Sequence, residues 1–268
     1  LTNGEAAKKG KDRIPPALDQ LFQPGQMKED LKVLRQALEE GHPGLYIYTT
    51  KVDFDKKFEK TGQAFDRPMT LQEFYLEVAP LVEKVYCGHT YFDLPPKLLK
   101  ALQKESPVFP LPIAFLDKNA YVDHAKTGVP LGSELLAING IPMDKILAKL
   151  LPYIRSDGYN QTLKYRQMED EFALHHFLAF GKQDSFQVEY LPFGSNEKKS
   201  KEVTPIPAKK LEVMLAGRHS NIGKSKKYKI GPAEKGIQVL SMNSFDFGLN
   251  KKGRQKYKTF LQENFGAL

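Results

Sequence analysis

The hydrophobic rhythm of the chain changes at Ser106, and this change limits the fold more than any other feature. Before it, apolar residues recur every three or four positions. After it, in "SPVFPLPIAFLDKNAYV", Pro107, Pro110 and Pro112 punctuate short apolar runs. Ile113 to Phe115 and Ala120 to Val122 flank an Asp-Lys-Asn turn, the pattern of two short strands. "GVPLGSELLAINGIPMDKILAKLLPYI" then supplies a Gly-Ser turn, a strand from Leu135 to Ile138 and the Asn139-Gly140 pair that favours a two-residue hairpin. A helix carrying Ile146, Leu147 and Leu150 follows, with Asp144 expected as its cap. A helix beside such strands gives a compact β-plus-helix module, and the expected fold class is α+β.

The residues ahead of this module are helical in pattern. "MKEDLKVLRQALEEGHP" sets Met27, Leu31, Leu34 and Leu38 on one stripe and stops at Gly41 and Pro43; "VDFDKKFEK" puts Phe54 and Phe58 on one face. "TLQEFYLEVAPLVEKVYCG" opens with Thr70 and Glu73 at capping-box spacing, and Pro80 is expected to kink or divide its helix. Beyond the module, "MEDEFALHHFLAFG" reads as a helix, "SFQVEYLPF" as a strand and "GSNEKKSKEVTPIPAKK" as a charged excursion. "GIQVLSMNSFDFG" reads as a strand and turn, and "QKYKTFLQENFGAL" as a helix. The expected organisation is a flexible amino-terminal segment at 1–25, a helical domain at 26–107, and a β-rich module at 108–204 with a helical insertion at about 152–181. A linker and the first elements of a further domain take up 205–268. The strand at Ile237 to Leu240 has almost no sheet after it to join, which leaves an edge open to self-association.

Composition excludes several classes. The 268 residues are 41% hydrophobic and 27% charged, the profile of a folded chain with a sizeable core. No stretch approaches the roughly 18 apolar residues of a membrane-spanning helix. The net charge of +8 comes with lysines gathered in "EKKSKE" and "GKSKKYK", read as solvated loops; without aromatic interleaving they give no reason to expect a nucleic-acid partner. Cys87 is the only cysteine, which excludes an internal disulfide and a thiolate cluster. No HExxH spacing occurs, and adjacent His175 and His176 diverge by about 100° on a helix. Five residues separate Gly217 from Gly223 where a phosphate loop needs four. Neither a metal nor an organic cofactor is therefore expected.

Two candidate sites remain. His89, in "VEKVYCGHTYF", sits between a glycine and a threonine just past a helix end, where a neutral imidazole can accept a proton near neutral pH; His42 in "EEGHPGLY" reads instead as a capping or loop residue. No hydroxyl near His89 lies in a GxSxG or SxxK motif. The second candidate is a groove between strand and helix that takes an extended peptide by strand addition, with Ile113, Ala114, Phe115, Ile146 and Leu150 as its expected lining.

Several of these pieces resemble the tricorn-type and carboxy-terminal-processing serine peptidases, in the branch that includes the chlamydial protease-like factor. "HPGLYIY" resembles a recurrent opening of that branch, "LGSELLAINGIPMDKIL" the core of a PDZ domain, and "YCGHTYF" the segment carrying the general-base histidine. "QVLSMNSF" followed by "YKTFLQENF" resembles the strand and helix that open the catalytic α/β domain. The resemblance spans about residues 26 to 268. It implies the amino-terminal part of a serine endopeptidase, inactive alone, with His89 as base, a nucleophilic serine beyond residue 268, and a protein or peptide substrate in a periplasmic or cell-envelope setting. Ser244 lies in the early strand motif and does not match the nucleophile. Pro110 and Pro112 each remove a backbone donor near the loop that would hold a peptide carboxylate, so groove binding is expected without carboxylate recognition. The alternative is a noncatalytic peptide-binding scaffold with a PDZ-like module.

Overall fold

The structure, a computed structural model, describes residues 17–218, 228–231, 237, 239–242 and 251–265. They form two compact units divided after Arg218. In the first, β1 (Leu21–Phe22) leads to α1 (Pro24–Gly41), α2 (Lys51–Ala64), β2 (Met69–Thr70), α3 (Leu71–Glu83) and α4 (Pro96–Glu105). Next come β3 (Pro107–Val108), β4 (Ile113–Leu116), β5 (Asn119–Val122), β6 (Glu134–Ile138), β7 (Ile141–Pro142), α5 (Met143–Leu150) and a 3-10 turn at Leu151–Tyr153. α6 (Thr162–Phe180), β8 (Phe186–Leu191), β9 (Lys199–Val203), β10 (Ile206–Pro207) and α7 (Ala208–Arg218) complete the unit. The main sheet is antiparallel in the order β4-β5-β6-β8-β9, with β7 also on β6, so the class is a mixed α+β fold.

Local chemistry explains most of these elements. Both hairpin turns place two successive residues at positive φ, Asp117 (48°) with Lys118 (71°) and Asn139 (49°) with Gly140 (75°), the geometry that matches strand twist. Asn139 also accepts the Gln187 N–H through Oδ1 at 2.7 Å, tying the β6–β7 turn to β8. Thr70 and Glu73 form the capping box of α3: the Thr70 hydroxyl accepts from Glu73 N–H at 3.1 Å, and Glu73 Oε2 from Thr70 N–H at 2.8 Å. Hydrogen bonding from Arg67, and then from the Thr70 N–H, holds the Glu73 carboxyl below its ordinary pKa.

Three sequence expectations change. α3 is not divided at Pro80; it runs unbroken to Glu83. Proline leaves the carbonyl four residues back without its helical donor, and the Tyr153 hydroxyl reaches that Leu76 carbonyl at 3.3 Å. Asp144 does not cap α5, because the helix already starts at Met143 and Pro142 takes the cap position. The lysine run "EKKSKE" is partly strand: β9 pairs with β8 from Lys199 opposite Tyr190 to Val203 opposite Phe186.

One core fills the space between the sheet and α5 and α6, centred on Phe109, Ile113, Ile138, Ile146, Leu150 and Phe172. A second joins α1, α2 and α3 through Met27, Phe54, Phe65 and Val78. Each such side chain, fully buried, contributes roughly 1.5–3 kcal/mol. α6 is apolar on several faces and serves both sides, giving Met168 and Phe172 to the sheet core while Leu178 packs with Leu71, Tyr75 and Leu94. In the second unit, β11 (Tyr228–Ile230) pairs antiparallel with β12 (Leu240–Met242), and α8 spans Lys251–Phe265. β12 shares only Leu240 with the strand expected at Ile237 to Leu240, and its partner β11 precedes it in the chain; Ile237 and Val239 are exposed.

Candidate functional site

His89 is exposed on the short segment that follows α3, and that segment is anchored at several points. At its root, Glu83 and Lys164 are both buried and form an ion pair; Lys84 reaches the other Glu83 oxygen at 2.9 Å, and Lys164 Nζ also donates to the Leu151 carbonyl at 3.2 Å. Burial works against the Lys84 charge, but the hydrogen bond and attraction from Glu83 outweigh it and raise the Lys84 pKa. The Thr49 hydroxyl donates to the Lys84 carbonyl at 2.7 Å. Tyr86 then takes a left-handed φ of 53°, unusual for a bulky residue, and turns the chain out toward Cys87 and His89.

The residues after the 3-10 turn hold this excursion in place. Gly158 N–H donates to the Tyr86 carbonyl at 2.9 Å, and Gly88 N–H donates to Asp157 Oδ1 at 2.6 Å. The rings of Tyr48, Tyr86 and Tyr159 meet edge to face, and the Tyr159 hydroxyl donates to the Tyr48 carbonyl at 2.9 Å. Both glycines allow a close approach. A Cβ on Gly88 would lie 2.8 Å from Asp157 Oδ1, and one on Gly158, whose φ is 58°, would lie 3.0 Å from the Tyr48 ring. The result brings Cys87, His89 and Asp157 together, with one ligand-capable atom of each within 4.8 Å of the others. Sequence reasoning singled out His89 alone. Cys87 was visible as half of a Cys-x-His pair, but Asp157 lies 70 residues along the chain and carries no local signal beyond its turn-like Ser-Asp-Gly setting.

Beside this loop lies a small polar cavity of about 230 Å³ lined in part by Tyr91, Asp93, Arg155, Gln167, Glu171 and His175. Desolvation, with Glu171 adding to it, raises the Asp93 pKa against the pull of Arg155 and His175. His175 Nε2 lies 3.2 Å from Glu171 and its ring stacks on Tyr153, whereas His176 is buried in the sheet core. The two adjacent imidazoles thus face different surroundings. His42 is a loop residue whose Nδ1 accepts the Gly44 N–H at 3.1 Å.

The expected groove lining is placed differently from an open wall. Ile113, Phe115, Ile146 and Leu150 are buried core residues, and only Ala114 is part-exposed. α5 packs on β6 and β7 and α6 lies against β4, and Ile113, Phe115, Ile146 and Leu150 belong to one buried core. The outer edge of β4 is also occupied by side chains. Phe115 N–H donates to Glu169 Oε1 at 3.0 Å, and the Ile113 carbonyl accepts from the buried Arg218 guanidinium at 3.2 Å. Arg218 is further held by Asp170 at 2.7 Å. These caps take the backbone groups an added strand would use.

Ser244, the 219–227 part of the phosphate-loop-like run and the lysines of "GKSKKYK" up to Lys227 lie outside the described residues. No helix among the described residues is long and apolar enough to cross a membrane. Comparison with protein-family models and with curated proteins yields no match.

Proposed function

We propose that the chain is the amino-terminal portion of a serine-type endopeptidase acting on proteins or peptides. In this reading His89 takes the proton of a nucleophilic serine, supplied by the α/β peptidase domain that the resemblance implies, and later protonates the leaving amine. The observation that supports it most is an exposed imidazole on a fixed main chain: the Gly88 N–H is held by Asp157 and the Tyr86 carbonyl by Gly158, immediately before His89. A general base needs that combination of access and positioning. The β4-β5-β6-β8-β9 sheet with α5 against β6 fits a PDZ-like module that shapes or gates the cleft. The capped β4 edge gives the scaffold alternative less support, since strand addition would first have to displace Glu169 and Arg218. A periplasmic or cell-envelope setting belongs to the same proposal.

The test is His89→Ala in the full-length gene product, assayed on unfolded casein and fluorogenic peptide pools, with a serine-reactive phosphonate read by peptide mapping. Turnover is expected to fall at least about a hundredfold with the fold unchanged, given the usual contribution of a positioned base. Wild-type turnover in folded H89A from pH 6 to 9, or absence of both turnover and serine labelling in the parent protein, overturns the assignment.

A further inference from the structure

We propose that Cys87, His89 and Asp157 form a binding site for a single zinc-class divalent cation. The donor set points to the chemistry. A thiolate and an imidazole suit borderline-soft ions such as Zn²⁺ or Co²⁺, whereas Mg²⁺ and Ca²⁺ prefer all-oxygen shells. In a tetrahedral zinc site, bonds of about 2.0–2.3 Å set the ligand atoms roughly 3.5 Å apart. The three atoms here already lie within 4.8 Å of one another, so small side-chain rotations at the exposed His89 and Asp157 close the shell.

The surroundings are those of a built site. Gly88 separates two of the ligands, and the absence of its Cβ is what lets the Asp157 carboxylate approach, since both carboxylate oxygens would otherwise lie within 2.9 Å of that carbon. Asp157 Oδ1 is oriented by the Gly88 N–H, which leaves Oδ2 as the ligand atom, an outer-shell arrangement that fixes a metal carboxylate. Cys87 is anchored from behind, packed against the helical core, while the other two donors face solvent and leave an entry path and a fourth position. A thiolate and a carboxylate offset the 2+ charge. On binding, the Cys87 thiol loses its proton to solvent, the sulfur–metal bond forms, and no redox change is involved.

The peptidase reading uses His89 for its chemistry and Asp157 only as the acceptor that holds the Gly88 N–H, and metal binding is measured without turnover, so either can fail alone. Where both hold, the ion occupies the imidazole lone pair that proton transfer needs, and zinc suppresses turnover. The experiment uses the untagged 268-residue chain, stripped of metal and reduced. Titration with Co²⁺ should give a thiolate-to-cobalt charge-transfer band and tetrahedral d–d bands that saturate at one equivalent and vanish on adding Zn²⁺. Cys87→Ser should abolish the charge-transfer band. Asp157→Asn, which can still accept from Gly88 N–H, should weaken Zn²⁺ at least about tenfold by calorimetry, with circular dichroism of both variants unchanged. Absence of the charge-transfer band in the parent chain, or Zn²⁺ bound equally well by parent, C87S and D157N, overturns the site.

Discussion

Acidification should destabilise the first unit through His176, by an amount the structure sets. The imidazole is buried among Phe109, Phe172, Phe180 and Phe186, with ring centroids between 4.6 and 6.2 Å away. Burial, aided by the Lys149 charge, lowers its pKa from 6.5 to about 4. The folded-state pKa is thus depressed, and the unfolded chain takes up the proton first as pH falls. The stabilisation is complete above pH 6.5, declines as pH drops through about 4, and is constant below both values. A difference of about two and a half pKa units at 1.36 kcal/mol each gives roughly 3 kcal/mol, a substantial share of a typical domain's 5–15 kcal/mol. The assay is urea unfolding by far-UV circular dichroism from pH 7.5 to 3.5, for the parent and for His176→Leu, alongside NMR titration of the His176 ring. Leucine is close to imidazole in volume, so its packing cost is independent of pH and drops out of the pH dependence. H176L should lose about 3 kcal/mol less than the parent over this range. Identical acid limbs, or a ring that titrates near 6.5 in the folded protein, would rule out His176 as the source of the acid sensitivity.

Two further substitutions test the supports of the candidate sites. Lys164→Met removes the buried ammonium from Glu83 and leaves Lys84 as the remaining cation; a loss of about 3 kcal/mol in urea melts is expected, at the low end for a broken buried pair, with part regained in the K164M/E83Q double variant. Glu169→Ala takes away the acceptor of the Phe115 N–H, and native-state hydrogen exchange at that amide should accelerate about tenfold; uniform acceleration across β4 and β5 would show general loosening instead.

What was legible in the sequence was what depends on near neighbours. Thr70 with Glu73, Asp-Lys-Asn and Asn-Gly each specify their turn or cap within four residues, and the structure forms all three. Asp144 was misplaced locally, by two residues from the cap at Pro142, whereas two other misreadings arose where a distant group intervened. Pro80 reads as a kink or a division because its neighbours cannot supply the missing hydrogen bond; the helix is not divided, and a hydroxyl 73 residues further on, at Tyr153, satisfies the freed Leu76 carbonyl. "EKKSKE" reads as loop because its side chains are polar, whereas its backbone pairs along β8, where one hydrophobic residue, Val203, turned toward the core is enough.

The candidate site follows the same division. His89 could be found because a histidine between small or polar residues past a helix end is a local pattern. Asp157 could not, because it lies 68 residues along the chain and is placed beside the loop by the packing of α6 and the 3-10 turn on α3 and by the Lys164–Glu83 ion pair. That long-range packing fixes the main chain on both sides of the loop, and two glycines convert the fixed backbone into close approach, Gly88 to a carboxylate and Gly158 to a tyrosine ring. Glycine, the least informative letter for chemistry, is therefore what sets the distances at this site. An alanine at either position would leave Cys87, His89 and Asp157 in the sequence while forcing the neighbouring side chain away. The three residue types supply the chemistry, and the space between them decides whether they act as one site.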